Sequence, residues 1–153
     1  MSSVCWASAS AASARVARLL VDTGFLVALG RKADPLHAET RAFFLREAGP
    51  LITVSPVVVE TCFFLNAAAK IQFLDLAQSA RLKTLELPTV AYGEVGTIIR
   101  KYADRDIDLA DAALIWLANR TGVRHILTTD RADFGVYRLK NGKPFDLGKW
   151  LEP

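Results

Sequence analysis

Four carboxylates interrupt stretches that are otherwise apolar. Asp22 lies in Leu19–Leu29, Glu60 in Val57–Leu65, Asp111 in Leu109–Asn119, and Asp130 follows the short run His125-Ile126-Leu127-Thr128. A carboxylate taken out of water costs several kcal/mol unless it finds a partner. Each acid has an ordinary use. Asp22 suits a helix cap, and Glu60 could pair with an Arg or a hydroxyl. Asp108-Leu109-Ala110-Asp111 has the spacing of a capping box with Asp108 as the cap, and Asp130 could cap a turn through Phe134. Glu60 is the least ordinary, because its helix has almost no polar face and Glu is rarely buried without compensation. If the four converge, they cannot all stay ionised without help. Divalent cations supply that help. A purely oxygen donor set selects Mg²⁺ or Mn²⁺ over zinc. Such ions generate hydroxide and clamp the oxygens of a phosphodiester during in-line attack, which is the chemistry of a metal-dependent nuclease. Thr128 and Thr129 offer hydroxyls to orient a water there. Asp133 is expected at the surface, as an extra acid near the site.

The flanking patterns predict the elements that bring these acids together. Leu19-Leu20-Val21 reads as a buried strand, and Thr23-Gly24 starts a helix. Asp34-Pro35 predicts a helix capped by Asp34 and running to about Ala48. Leu51–Val54 predicts a second strand, and Ser55-Pro56 opens a helix from Val57 to about Ala69. Another helix is expected over about Gln72–Ala80, and an edge strand over Lys83–Leu87. Pro88 opens a helix to about Tyr102. Leu109–Asn119 is a strongly apolar helix, and His125–Thr128 a final strand. Short apolar strands alternating with helices indicate an α/β fold with a central, mainly parallel sheet. Ligands bind such sheets at the carboxyl ends of the strands. Asp22, Glu60, Asp111 and Asp130 all fall at that edge.

The 153 residues suit one domain. The hydrophobic fraction is 52%, yet no run is long enough to span a membrane. The surplus therefore predicts a core plus a protein–protein interface. Cys5 and Cys62 form neither a disulfide framework nor a zinc set, and Cys62 reads as a core residue. A reducing, cytoplasmic setting fits them. Residues 1–17 are Ser/Ala-rich without an acid and are expected to be a poorly ordered extension of the domain at 18–153. The net charge is +3, but setting the four acids aside leaves twelve acids against nineteen bases. A basic surface around an acidic pocket suits a polyphosphate substrate. Lys32, Arg131 and Arg138 are candidate phosphate contacts.

Other chemistries are excluded by their missing parts. Asp104, Asp106 and Asp108 begin like a calcium loop, but Leu109 and Ile115 stand where it needs Gly and Glu. There is no Gly-rich phosphate loop and no nucleophile elbow. His37 and His125 lack ligand neighbours at metal spacing, and His37 is expected on the exposed side of its helix. A phosphatase forming an aspartyl phosphate, of the haloacid-dehalogenase kind, would want an acid two residues after Asp22, where Gly24 stands.

Val21-Asp22-Thr23-Gly24, Pro56-Val57-Val58-Val59-Glu60, Leu109-Ala110-Asp111-Ala112-Ala113 and Leu127-Thr128-Thr129-Asp130-Arg131-Ala132-Asp133-Phe134 together resemble the PIN domain, especially VapC-like toxins of type II toxin–antitoxin systems. The resemblance spans roughly residues 18–140. It implies a three-layer α/β/α PIN-like fold and a Mg²⁺/Mn²⁺-dependent endoribonuclease. It also implies a homodimer and a small cognate antitoxin. It assigns Asp22, Glu60, Asp111 and Asp130 to the catalytic, metal-binding set, with Thr128 or Thr129 as the supporting hydroxyl. The rival is a catalytically inactive PIN-like module that binds RNA or protein. The extension at 1–17 departs from the toxin pattern.

Overall fold

The computed structural model describes residues 19–47, 49–148 and 150. The extension expected at 1–17 and Cys5 lie outside them. Four strands form one sheet: β1 (Leu19–Val21), β2 (Leu51–Val54), β3 (Leu82–Leu85) and β4 (Ile126–Leu127). Their order is β3-β2-β1-β4, and every pairing is parallel. Seven helices surround the sheet among the described residues: α1 (Thr23–Gly30), α2 (His37–Arg46), α3 (Ser55–Phe63), α4 (Ala67–Gln78), α5 (Tyr92–Lys101), α6 (Leu109–Thr121) and the single turn α7 (Arg131–Phe134). The expected α/β class with a parallel sheet is borne out.

The order of the strands locates the crevice. The chain steps outward from β1 to β2 to β3, then returns to lay β4 on the other side of β1. Successive connections thus leave β1 in opposite directions, and the gap beyond the carboxyl ends of β1 and β4 is the switch point where α/β sheets bind ligands. Asp22 directly follows β1, and Asp130 lies three residues past β4.

The sheet is anchored by side chains that are almost wholly inaccessible. Leu20, Val21, Leu51, Val54, Ile126 and Leu127 fill it, and α6 buries Ala110 and every residue from Ala112 to Ala118. That helix is apolar nearly all round, so Asp111 stands out on it. Gly122 closes α6 with φ 73°, a left-handed conformation that glycine adopts without strain. An aromatic chain runs through the core: Phe145, Phe134, Tyr137 and Tyr102 meet edge-to-face at 4.9–5.3 Å between ring centres.

Several expected boundaries move, each for a local reason. Asp34 makes a turn by accepting from the Leu36 N–H (2.9 Å), so α2 starts only at His37. It ends at Arg46; Ala48, its expected end, lies outside the described residues. The helix expected from Val57 to Ala69 breaks after Phe63. Leu65 is buried there, and Asn66 accepts from the Ala69 N–H (2.9 Å) to cap α4. The helix expected from Pro88 begins instead with a 3-10 turn over Thr89–Ala91. His37 is half-buried rather than exposed, with Nδ1 2.8 Å from the Ala28 carbonyl. Cys62 packs against the core but is only partly covered.

Candidate metal centre

Asp22 is fixed by the strand that carries it. Its backbone N–H donates to the Leu127 carbonyl of β4 (3.0 Å). Its Oδ1 accepts from the Thr23 N–H (2.7 Å), and its Oδ2 from the Thr128 hydroxyl (2.8 Å). The residue is 5% exposed. Burial pushes its carboxyl up to about 6, against the pull of those two donors, and the charges of Glu60 and Asp108 add to the rise. Thr128 is itself fully buried and accepts from the Asp130 N–H (2.9 Å). One hydroxyl therefore ties the first acid to the last.

Asp111 comes from the first turn of α6. Asp108 caps that helix by accepting from the Asp111 N–H (2.8 Å), as its spacing predicts. The Asp111 carboxylate accepts from the hydroxyl of buried Tyr137 (3.2 Å). Burial first, then the charges of Asp22 and Asp108, push the Asp111 carboxyl up to about 8. Burial and the Asp111 charge push the Tyr137 hydroxyl well above its ordinary range, so Tyr137 remains a donor. Glu60 lies on α3, half-buried, and burial followed by the Asp108 charge raises its carboxyl too.

Asp130 caps α7 by accepting from the Asp133 N–H (3.0 Å). Asp133 differs from its expectation. It is half-buried and turned toward the other acids, because cap and third residue share one side of a helical turn. One carboxylate oxygen each from Asp111, Asp130 and Asp133 lie within 4.8 Å of one another. Arg105 holds Asp133 through Nη2 and Nε, both 3.1 Å from Oδ1.

All four expected acids line one cavity of about 350 Å³. Asp22 and Glu60 face it outside the tighter trio of Asp111, Asp130 and Asp133. Asp34, Asp106 and Asp108 complete a lining of eight acids without a Lys or Arg. The sequence reading did not place Asp34 or Asp106 at the cavity. Asp106 reaches it through a left-handed backbone (φ 52°), the one positive φ outside glycine among the described residues. Arg105 and Tyr137 were also missed, and no spacing rule points to either. Thr129 is exposed. Its hydroxyl occupies the place where a side chain at position 24 would begin, which is why Gly24 follows Asp22-Thr23.

The three candidate phosphate contacts have different fates. Arg138 Nη1 is engaged by the carbonyls of Gly135, Val136 and Tyr137. Arg131 donates to the Leu147 and Gly148 carbonyls. Lys32 is exposed and lines a hollow next to the acids.

The residues fit a divalent cation. The donors are carboxylates and hydroxyls, the set that suits Mg²⁺ or Mn²⁺. Thr23 Oγ1 is buried without a hydrogen-bond partner among the described residues, although it belongs to the cavity wall. An unpaired buried hydroxyl beside uncompensated acids is what a cation or its bound water would satisfy.

Known proteins resemble this chain in sequence and in fold. The chain is 34% identical over 134 residues to Ribonuclease VapC26 of Mycobacterium tuberculosis, covering 84% of this chain and 98% of that protein. The crystal structure of Mycobacterium tuberculosis VapC20, a Sarcin-Ricin loop cleaving toxin, matches with a TM-score of 0.69 and 18% identity. It covers 74% of this chain and 91% of that one, a likeness of fold. Residues 19–138 match the PIN domain, and the chain belongs to that family.

Proposed function

We propose that this protein is a metal-dependent endoribonuclease, the toxin of a type II toxin–antitoxin pair. The observation that carries the reading is the single cavity gathering Asp22, Glu60, Asp111 and Asp130 at the switch point of the sheet. The 34% identity to a ribonuclease over nearly its whole length supports the same activity.

In this reading Asp22, Glu60, Asp111 and Asp130 hold one or two Mg²⁺ or Mn²⁺ ions, and Asp133 stands by as a further ligand. A bound ion supplies Lewis-acid activation of water and of the scissile phosphate. The chain's own part is to keep those oxygens fixed. Thr128 orients Asp22, Tyr137 orients Asp111, and Arg105 restrains Asp133. In the metal-free protein the raised carboxyl of Asp111 keeps its proton at neutrality, whereas Asp22 gives up its own from about pH 6, so holding a cation there would be coupled to proton release, chiefly from Asp111.

The partners follow from the exposed apolar surface. Val59, Phe63, Ile71 and Leu74 on α3 and α4 are more than half exposed or close to it, which suits a small cognate antitoxin or a second copy of the chain in a homodimer. Among the described residues no helix is long and apolar enough to cross a membrane. A cytoplasmic location belongs to this reading because RNA is the substrate it gives the protein.

The test is cleavage of a mixed RNA pool by purified protein with Mn²⁺, with EDTA, and with Asp22→Asn. Discrete new ends are expected with Mn²⁺ alone. Equal cleavage by Asp22→Asn would overturn the assignment. RNA retained but never cut would favour the inactive binding module.

A further inference from the structure

A second hollow, of about 610 Å³, adjoins the acidic cavity and shares Phe64 with it. It lies between the turn after α1 and the start of α4. Its chemistry is the reverse of its neighbour's. Arg31 and Lys32 line it, no acid does, and the amides Asn66 and Gln72 face it from the other side. Both bases are exposed, and neither makes an ion pair among the described residues. Asn66 spends its side-chain oxygen on the Ala69 N–H (2.9 Å), which leaves its NH₂ free to donate. Phe64 is 52% exposed at the rim between the two hollows. The turn beneath it is pinned by the Phe64 N–H to the Thr61 carbonyl (3.1 Å) and by buried Leu65.

A basic groove with an aromatic face is how proteins hold single-stranded nucleic acid: cations follow the phosphates and a ring stacks on a base. The volume is within the range of ligand-sized pockets, about 300–1,000 Å³. We propose that this hollow seats the RNA nucleotide next to the scissile phosphate, with Phe64 stacking on its base and Arg31 and Lys32 holding its backbone phosphate. The Asn66 NH₂ and the Gln72 amide then face the base edge and supply sequence preference. This assignment rests on the ribonuclease reading and adds where the strand leaves the acids. An apolar peptide is the poorer occupant. It would leave both cations without counterions, and more exposed apolar side chains are available to it close by, such as Phe63 at 80%.

The experiment measures binding of a fluorescein-labelled, mixed-sequence single-stranded RNA to full-length Asp22→Asn protein in Mn²⁺, by anisotropy across a salt series. Adding Phe64→Ala should weaken binding about 10-fold without changing the salt slope, and Phe64→Tyr should restore it. Adding Arg31→Ala with Lys32→Ala should weaken binding and lower the slope of log Kd against log salt by about 0.7 per lost phosphate contact. An abasic RNA should be indifferent to Phe64→Ala. Circular dichroism and melting confirm that each variant folds. Unchanged RNA affinity in Phe64→Ala, or an unchanged slope without the two bases, overturns the assignment and leaves the ring to a protein partner. If the wild-type protein cleaves RNA and these variants bind like their parent, this inference alone fails. If the wild type neither binds nor cleaves RNA, the ribonuclease reading fails with it.

Discussion

The acidic cavity has two unlike walls. On one, Asp22 and Asp111 are buried and bonded to Thr128 and Tyr137, and they are pushed up to about 6 and about 8. On the other, Asp130 and Asp133 are half-exposed; Asp130 caps a helical turn and Asp133 leans on Arg105. The open wall would be stable in many proteins, since every acid in it has a structural task. The buried wall would not, because burial works against the ionised form of each carboxyl. Acids retained at that cost are what the proposed metal-binding role would explain.

The sharpest way to break this contrast is Asp22→Asn. Cleavage should fall at least about 1,000-fold, on the scale of losing an essential catalytic group. Melting in EDTA at pH 8 should stay at or above wild type, because the Thr128 hydroxyl can reverse and satisfy the amide. A large drop in Tm would make Asp22 structural.

The pH dependence tests the walls together. Asp22 and Asp111 have an ordinary value of 3.8 and are raised in the folded state. Folding therefore holds their protons more tightly than the unfolded chain does. The penalty is absent below about pH 4, grows as pH rises, and is complete above about 8. Metal-free protein should lose about 3–5 kcal/mol, or roughly 6–20 °C in Tm, between pH 5 and 8.5. Mn²⁺ should restore it. A flat metal-free profile would remove the distinction between the walls.

Gly24→Ala should cost about 1–3 kcal/mol, because the added methyl meets the Thr129 hydroxyl. Double substitution with Thr129→Ser leaves that hydroxyl in place and should not rescue it, whereas Thr129→Ala should. Tyr137→Phe removes one hydrogen bond to Asp111 and should cost about 1 kcal/mol, with about 10-fold weaker Mn²⁺ binding by calorimetry. Arg105→Ala should change stability least, by under about 1 kcal/mol, since its pair with Asp133 is a third exposed. A larger loss there would show the open wall to be as demanding as the buried one.

The sequence showed what depends on local pattern. Strand β1, the helix start after Asp22 and the Asp108 cap are each set by a few neighbouring residues, and each is found. The convergence of the acids was legible because parallel strands place their carboxyl ends on one edge. Tertiary direction was not legible. Asp133 turns inward because Asp130 caps its helix, and Arg105 meets it across 28 residues of chain. Tyr137 reaches Asp111 through an aromatic stack no spacing reveals. The α3–α4 break depended on Asn66 competing successfully for a backbone N–H, a contest propensity alone does not decide.

The Thr128–Asp22 hydrogen bond joins residues 106 positions apart. During synthesis β1, β2 and β3 can associate while β4 is still unmade, because their pairings need only the earlier chain. Asp22 then has no Thr128 to orient it and no Asp130 beside it. The acidic cavity is consequently a late product of folding, assembled when the most distant contact closes. A nascent or truncated chain that stops short of β4 carries three of the acids and none of the finished geometry.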